Sequence, residues 1–333
     1  MILREPDYYE QFRCLAAACP DSCCQLWEVE LDEEAAARYA ALPGPLGKDI
    51  RAHMTRQADG SVWFSLEQAR CPMWRSDGLC RIQAQLGHEA LCRTCREFPR
   101  LCHDYGDFQE RGLSLSCAAA AKLILRGPHG WVTRQLPGGE AGDYDMADFA
   151  LLLETRDVML TYLADPQYSV PEALALGLLY GYHVQTLLDE GEAPPFEPRA
   201  QLAFARQLAR RSDSGELRKF YLGLDVLTRQ WADRLAAPRP GENFPEQLRF
   251  LASYGVERYW LQAVSDLDLA GRVKMVIAGC VLVNLLGGDP VDTAQLYAKE
   301  IENSSENIEA LLDAAYQSPT LTDDRLLGHL LLH

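Results

Sequence analysis

Cysteines are concentrated in the first 117 residues of the 333-residue chain. Ten of the eleven lie there, and the stretch RCLAAACPDSCC, which begins at Arg13, contains four of them. A second group lies in CPMWRSDGLCRIQAQLGHEALCRTCREFPRLC, which begins at Cys71, and Cys117 follows in LSLSC. Thiolates bind soft metals, and four of them suit either tetrahedral zinc or an iron–sulfur cluster. The pattern predicts such a site, and free buried thiols or redox disulfides are the alternative.

Two local features of the second cysteine group bear on the prediction of a metal or cluster site. The Asp-Gly dipeptide at 77–78 predicts a tight turn that brings Cys71 and Cys80 towards one point. The CxxC formed by Cys92 and Cys95 is a weak signal on its own, since short spacings arise by chance in a Cys-rich segment.

The first group contains two adjacent cysteines, Cys23 and Cys24. Pro20 can open a helical turn, which would place both thiols near the positive end of a helix and favour their thiolates. A vicinal disulfide is strained, so we expect the two neighbours to have different roles.

Charge and hydropathy exclude several classes of protein. The formal charge of −16, from 32 basic and 48 acidic residues, argues against a nucleic-acid partner. The longest apolar run, Val273 to Gly288, is interrupted by Lys274, so we predict a buried helix and no membrane partner. The first residues, MILREPDYYEQF, lack the apolar region of a secretory signal, and we expect a cytoplasmic protein. The oligomeric state is not predictable from these features.

Periodicity predicts a mainly α fold in two parts. We predict an irregular cysteine-cluster domain with short strands at 1–126, a Gly/Pro-rich linker at 127–143 that forms a loop or short hairpin, and an all-α domain of six to eight helices at 144–333. The segments WEVEL and SVWFSL are the expected strands. Pro171 suits a first helical turn, and Ser214 is the predicted N-cap of the helix that follows it.

Other polar residues near the cysteines have two interpretations. His53, His88 and His103 are possible ligands, although a lone histidine is more often a surface or core residue. Arg96 and Arg100 flank the Phe-Pro of CREFPR and can hold a carboxylate, or they form ordinary surface ion pairs.

The motifs taken together resemble a known family. RCLAAACPDSCC, followed by CP, DGLCRIQAQLG, TCREFPR and LSLSC, is similar to the flagellin lysine-N-methylase family, within a broader set of cysteine-cluster proteins. The resemblance covers about the first 125 residues, and Cys92 and Cys102 are additions of this sequence. The positions that match the family pattern, and that the resemblance implies as metal ligands, are Cys14, Cys19, Cys23, Cys24, Cys71, Cys80, Cys95 and Cys117.

This resemblance implies a methyltransferase that uses S-adenosylmethionine (SAM), modifies lysine ε-amino groups of flagellin and carries a [4Fe-4S] cluster. The residues themselves show neither the acidic-x-Gly-x-Gly signature of a Rossmann-type methyltransferase nor a CxxxCxxC, so any SAM site is of another kind. The sequence identifies no SAM-binding residue and no catalytic base. Alternative functions are a non-enzymatic zinc or iron–sulfur module and an iron–sulfur redox or sensor protein.

Overall fold

The protein is mainly α-helical, as predicted. The computed structural model describes residues 1–25, 29–67 and 70–332, and within these residues there are fifteen α-helices and seven short strands. The strands are β1 (Ile2–Pro6), β2 (Val29–Leu31), β3 (Met54–Arg56), β4 (Val62–Phe64), β5 (Arg100–Asp104), β6 (Phe108–Leu113) and β7 (Trp131–Gln135). The helices are α1 (Glu33–Ala41), α2 (Gly44–Ala52), α3 (Arg81–Leu86), α4 (Arg93–Glu97), α5 (Ala118–Ile124), α6 (Met146–Ala164), α7 (Val170–Glu190), α8 (Pro198–Leu208), α9 (Ser214–Leu222), α10 (Arg229–Ala236), α11 (Gln247–Tyr259), α12 (Leu269–Leu286), α13 (Pro290–Ile301), α14 (Ser305–Gln317) and α15 (Asp323–Leu331).

A small antiparallel sheet of three strands, in the order β2-β4-β3, lies between the two cysteine groups in sequence. Val29 pairs with Phe64 and Leu31 pairs with Val62, so the predicted pairing of WEVEL with SVWFSL is confirmed for the described residues. Trp27 and Glu28, which were predicted to begin the first strand, lie outside the described residues.

The second sheet joins segments that are far apart in the chain. Its strand order is β5-β6-β1-β7, with β1 parallel to β6 and antiparallel to β7. Strand β7 falls inside the segment predicted as a Gly/Pro-rich linker, so that segment is not only a loop. Backbone hydrogen bonds join β7 to the N-terminal strand β1. The division into two domains stays a prediction.

The helical part is more finely divided than its periodicity predicts. From Met146 to Leu331 the described chain contains ten α-helices instead of six to eight. One reason is that Ser304 caps a new helix by accepting a hydrogen bond from Asn307 N, which ends the helical run at α13. Pro171 does lie in the first turn of α7. Ser214 is the first residue of α9 and not its N-cap, because the carboxylate of Asp213 takes that role.

Two hydrophobic cores stabilise these elements. The smaller core surrounds the three-stranded sheet and includes Tyr39, Phe64 and Met73. The larger core contains the C-terminal helices together with α5 and residues such as Phe12 and Leu115. It therefore includes residues on both sides of the predicted boundary at Arg126.

Helix α12 lies at the centre of the larger core. It is the one helix in the described residues that is long and apolar enough to cross a membrane, and 89% of its 18-residue window is buried inside the protein. Core helices of soluble proteins meet the same criterion, so this is weak evidence for a membrane span. The predicted burial of this segment is confirmed, and Lys274 donates a hydrogen bond to Ala315 O at 2.6 Å.

Candidate thiol-lined site

Seven cysteines line a single cavity of about 370 Å³. Its walls come from both cores, because Cys117 packs against the larger one whereas Cys80 and Cys95 pack against the smaller one. The cavity therefore brings together most of the predicted ligands from positions up to a hundred residues apart. The seven lining cysteines are Cys14, Cys19, Cys23, Cys24, Cys80, Cys95 and Cys117.

The first cysteine group approaches the cavity as irregular chain. Ala16 N donates to Cys14 Sγ at 3.4 Å, and the Cys19 thiol donates to Asp21 O at 2.8 Å. A short 3₁₀ turn covers Ala16–Ala18, and no helix follows Pro20 in the described residues up to position 25. The predicted helical turn after Pro20 is wrong, because the turn forms ahead of the proline.

Cys23 and Cys24 are both reduced, and their pKa values are shifted in opposite directions. The Cys23 thiol donates a hydrogen bond to the Cys24 sulfur, which raises the pKa of Cys23 and, together with Ser22, lowers the pKa of Cys24 to about 7. Cys24 is thus the better thiolate of the two. The cause is its neighbouring thiol and not a helix terminus.

The second group returns to the cavity through the predicted turn. Gly78 adopts a φ of +80°, which glycine accepts without strain, and Arg75 N donates to Leu79 O at 2.9 Å. Cys71 N donates to Cys24 O at 2.9 Å, which joins the two cysteine groups through their backbones. Cys71 itself does not line the cavity and faces a surface depression. It is the one predicted ligand outside the lining.

Three cysteines occupy N-cap positions of short helices: Cys80 before α3, Cys92 before α4 and Cys117 before α5. Burial raises the pKa of Cys80 and of Cys117, although the backbone N–H groups at each helix start oppose this shift. The Cys95 thiol donates to the Cys92 sulfur, which raises the pKa of Cys95 and lowers that of Cys92. Cys92 is buried outside the lining, and Cys102 is exposed on β5.

The donor chemistry of this cavity fits a thiophilic metal or an iron–sulfur cluster. Four thiolates suffice for zinc or for an iron–sulfur cluster, and seven reduced thiols surround this one space. In the described residues, however, no group of three or more Cys, His, Asp or Glu side chains is close enough to hold an ion as positioned. Binding would therefore need the thiols to turn inwards together.

The remaining lining mixes apolar residues with polar and cationic ones. Part of the polar lining comes from a helix that sequence analysis did not connect with the site. Lys299 of α13 and Asn303, just beyond that helix, both line the cavity. The available signal is the four-residue spacing of Gln295, Lys299 and Asn303, which places three polar side chains on one face of a largely buried helix and its extension. The spacing does not show which other part of the chain this polar face contacts.

The three candidate histidines have separate environments. His88 lines the cavity. His53 hydrogen-bonds to Asp49 O and to Glu67, both at 2.8 Å, and is a half-buried residue that does not line the cavity. His103 lies on β5 beside a different, much smaller cavity of about 30 Å³. His88 is the one that remains a possible ligand.

Comparison with known proteins identifies the family. The chain is 32% identical over 130 residues to the flagellar biosynthetic protein FliU of Salmonella muenchen, a match that covers 37% of this chain and 77% of that protein. This chain belongs to the FliU family. The match supports the family-level resemblance found in the motifs over this part of the chain.

Two larger relatives of the FliU family carry a functional name. The lysine-N-methylases of Salmonella typhimurium and Salmonella choleraesuis are each 32% identical to the chain over 130 residues. The match covers 37% of this chain and 32% of each of them, so it spans about a third of their length. No protein-family model matches the chain, and no solved structure matches it significantly.

Proposed function

We propose that this chain is a SAM-dependent protein-lysine N-methyltransferase that acts on flagellin in the cytoplasm and holds a [4Fe-4S] cluster in its thiol-lined cavity. The observation that carries the proposal is the combination of seven reduced thiols around one cavity with relatives named lysine-N-methylase. The name FliU, a flagellar biosynthetic protein, supports a flagellar substrate.

The size and lining of the cavity suit this chemistry. A volume of about 370 Å³ lies in the range of small-molecule sites. A lysine amine must be neutral before it can attack a methyl sulfonium, and an apolar environment favours the neutral form. Phe12, Leu15 and Leu91 supply apolar lining next to the thiols. When bound, the cluster would supply a Lewis-acidic iron that helps to orient SAM.

The metal content is the first experiment. The full chain, purified without oxygen, should contain iron and acid-labile sulfide and show the broad visible absorption of thiolate-bound iron. Serine substitutions at Cys14, Cys24, Cys80 and Cys117 should each lower the iron content. Cys102→Ser is the matched control, because Cys102 is exposed and lies outside the cavity. A colourless protein with stoichiometric zinc would refute the cluster and support the zinc module.

Methyl transfer is the second experiment. Iron-loaded protein, SAM and unmethylated flagellin should yield methyl-lysine, detected by peptide mass spectrometry. The serine variants that lose iron should lose this product, whereas Cys102→Ser should retain it. Iron-loaded protein that binds SAM but methylates no lysine of flagellin would contradict the proposed activity and favour a sensor role.

A further inference from the structure

Arg96 and Arg100 form a cationic wall of the thiol-lined cavity. Both residues belong to its lining, Arg96 half-buried and Arg100 exposed. In the described part of the chain no ion pair involves either guanidinium, so the alternative of ordinary surface ion pairs does not apply to them. Glu97, the acidic residue between them, is exposed and is not part of the lining.

The backbone between Arg96 and Arg100 is held in place by a helix on one side, a strand on the other and a hydrogen bond between them. Helix α4 ends at Glu97, and the buried Pro99 accepts a hydrogen bond from Ser114 N at 2.7 Å. Arg100 then begins β5, where its guanidinium lies 5.3 Å from the ring centre of Phe12. A cation held over an aromatic ring has a restricted position, which suits it to recognise a ligand.

The charge of the lining contrasts with that of the protein. The chain carries a formal charge of −16, yet among the described lining residues Asp21 is the only carboxylate. Lys299 pairs with Asp21 at 2.6 Å, so these two charges offset each other. No lining carboxylate is left to pair with Arg96 and Arg100, which favours a carboxylate-bearing ligand at this wall.

The chemistry of arginine narrows the class of anion. A guanidinium presents parallel N–H donors that match a carboxylate in a bidentate pair. Of the small molecules that the proposed reaction requires, SAM carries a carboxylate at its amino-acid end. We infer that Arg96 and Arg100 bind this carboxylate, an inference that rests on the proposed function and assigns its SAM-binding residues.

The test compares SAM with decarboxylated SAM, which lacks only this group. Dissociation constants for both would be measured by calorimetry on the full chain, the double variant R96Q/R100Q and the control R93Q. Arg93 lies on the same helix, is exposed and does not line the cavity. Iron and sulfide would be assayed in each preparation.

The wild-type chain and R93Q should prefer SAM by about tenfold to a hundredfold, the usual range for charge-assisted hydrogen bonds. The double variant should bind SAM as weakly as decarboxylated SAM, with unchanged iron. A double variant that keeps the preference overturns the inference and leaves the proposed function intact. A double variant that loses iron also overturns the inference, because the two arginines would then hold the metal-binding thiolates in place and would not act by binding SAM. A wild-type chain that binds neither compound refutes the proposed function itself.

Discussion

Lys299 Nζ lies 2.6 Å from Asp21 Oδ1, so a helix near the end of the chain forms an ion pair with the loop between the first cysteines. The side-chain amide of Gln295, one turn earlier, donates to Asp21 Oδ2 at 2.9 Å and to Ser116 O at 2.7 Å. Asp21 lies between Cys19 and Cys23, and Ser116 precedes Cys117. Helix α13 therefore fixes two cysteine segments relative to each other, and the helical part of the chain is a component of the site.

Lys299→Gln should weaken this attachment. The pair is partly buried, with 12% and 29% of the two side chains exposed, so its loss leaves Asp21 without a charged partner. We expect the free energy of unfolding in urea to fall by about 1–3 kcal/mol, together with a lower iron content. Lys219→Gln is the control, since Lys219 is an exposed lysine of α9. Equal unfolding curves for the two variants would count against a positioning role for Lys299.

Glu110→Gln should cost more than any exposed ion pair. Arg156 donates to both carboxylate oxygens of Glu110, at 2.5 and 2.7 Å, and only 0% and 4% of the two side chains are exposed. Removing one partner leaves a buried charge, and we expect a loss of about 3–5 kcal/mol in the free energy of unfolding.

Asp233→Asn provides the matched comparison for Glu110→Gln. It breaks the pair between Arg229 and Asp233, whose side chains are 93% and 72% exposed. Its effect should stay within about 0.5 kcal/mol. Similar losses for the two variants in urea would contradict the argument from burial.

Local signals in the sequence predicted local structure well. Pro171 marks a helix start, the Asp-Gly turn returns the chain to Cys80, and the segment at Ser61–Leu66 pairs with β2. These outcomes depend on residues that are close in sequence or alternate along a strand. Of the eight cysteines that the family resemblance implies as ligands, seven line one cavity.

Long-range contacts were not predictable in the same way. Nothing in WVTRQ distinguishes a linker from β7, because that strand depends on pairing with β1, more than a hundred residues earlier in the chain. The polar face of α13 looks like an ordinary exposed face until Asp21 and Ser116 are placed against it. Similarly, the sequence indicates that Arg96 and Arg100 can hold a carboxylate, but not that they lie beside the thiols of both cysteine groups.

Gly181→Ala should destabilise the contact between α7 and α12. A Cβ at this position would lie 2.8–2.9 Å from the side-chain carbons of Val273, a β-branched residue that cannot turn away. Overpacking of this kind costs about 1–3 kcal/mol, against a gain of about 1 kcal/mol from helix propensity.

Gly177→Ala on the same helix is the control for Gly181→Ala. There the added carbon would meet the flexible end of Met159, which can move. We expect a lower melting temperature for Gly181→Ala and little change for Gly177→Ala. The reverse order would show that the two helices do not approach each other most closely at Gly181.

His103 should make the protein less stable in mild acid. Burial, followed by the nearby charges of Arg258 and Arg156, lowers the pKa of His103 from 6.5 to about 4. Below pH 6.5 the unfolded chain takes up a proton that the folded chain cannot accept until about pH 4. The contribution of His103 to stability is therefore complete above pH 6.5 and declines as the pH falls to about 4, by at most about 3 kcal/mol.

His103→Gln should accordingly flatten the loss of unfolding free energy between pH 6.5 and 4, measured in urea relative to the wild-type chain. His53→Gln is the contrasting variant, because the pKa of His53 is raised by its hydrogen bond to Asp49 O and by Glu67. The protonated His53 stabilises the fold at low pH, and this contribution is lost as the pH rises through the raised value. The two variants should change the pH slope in opposite directions, His103→Gln below pH 6.5 and His53→Gln above it. Equal slopes for His103→Gln and the wild type would mean that the folded chain protonates His103 as readily as the unfolded one does.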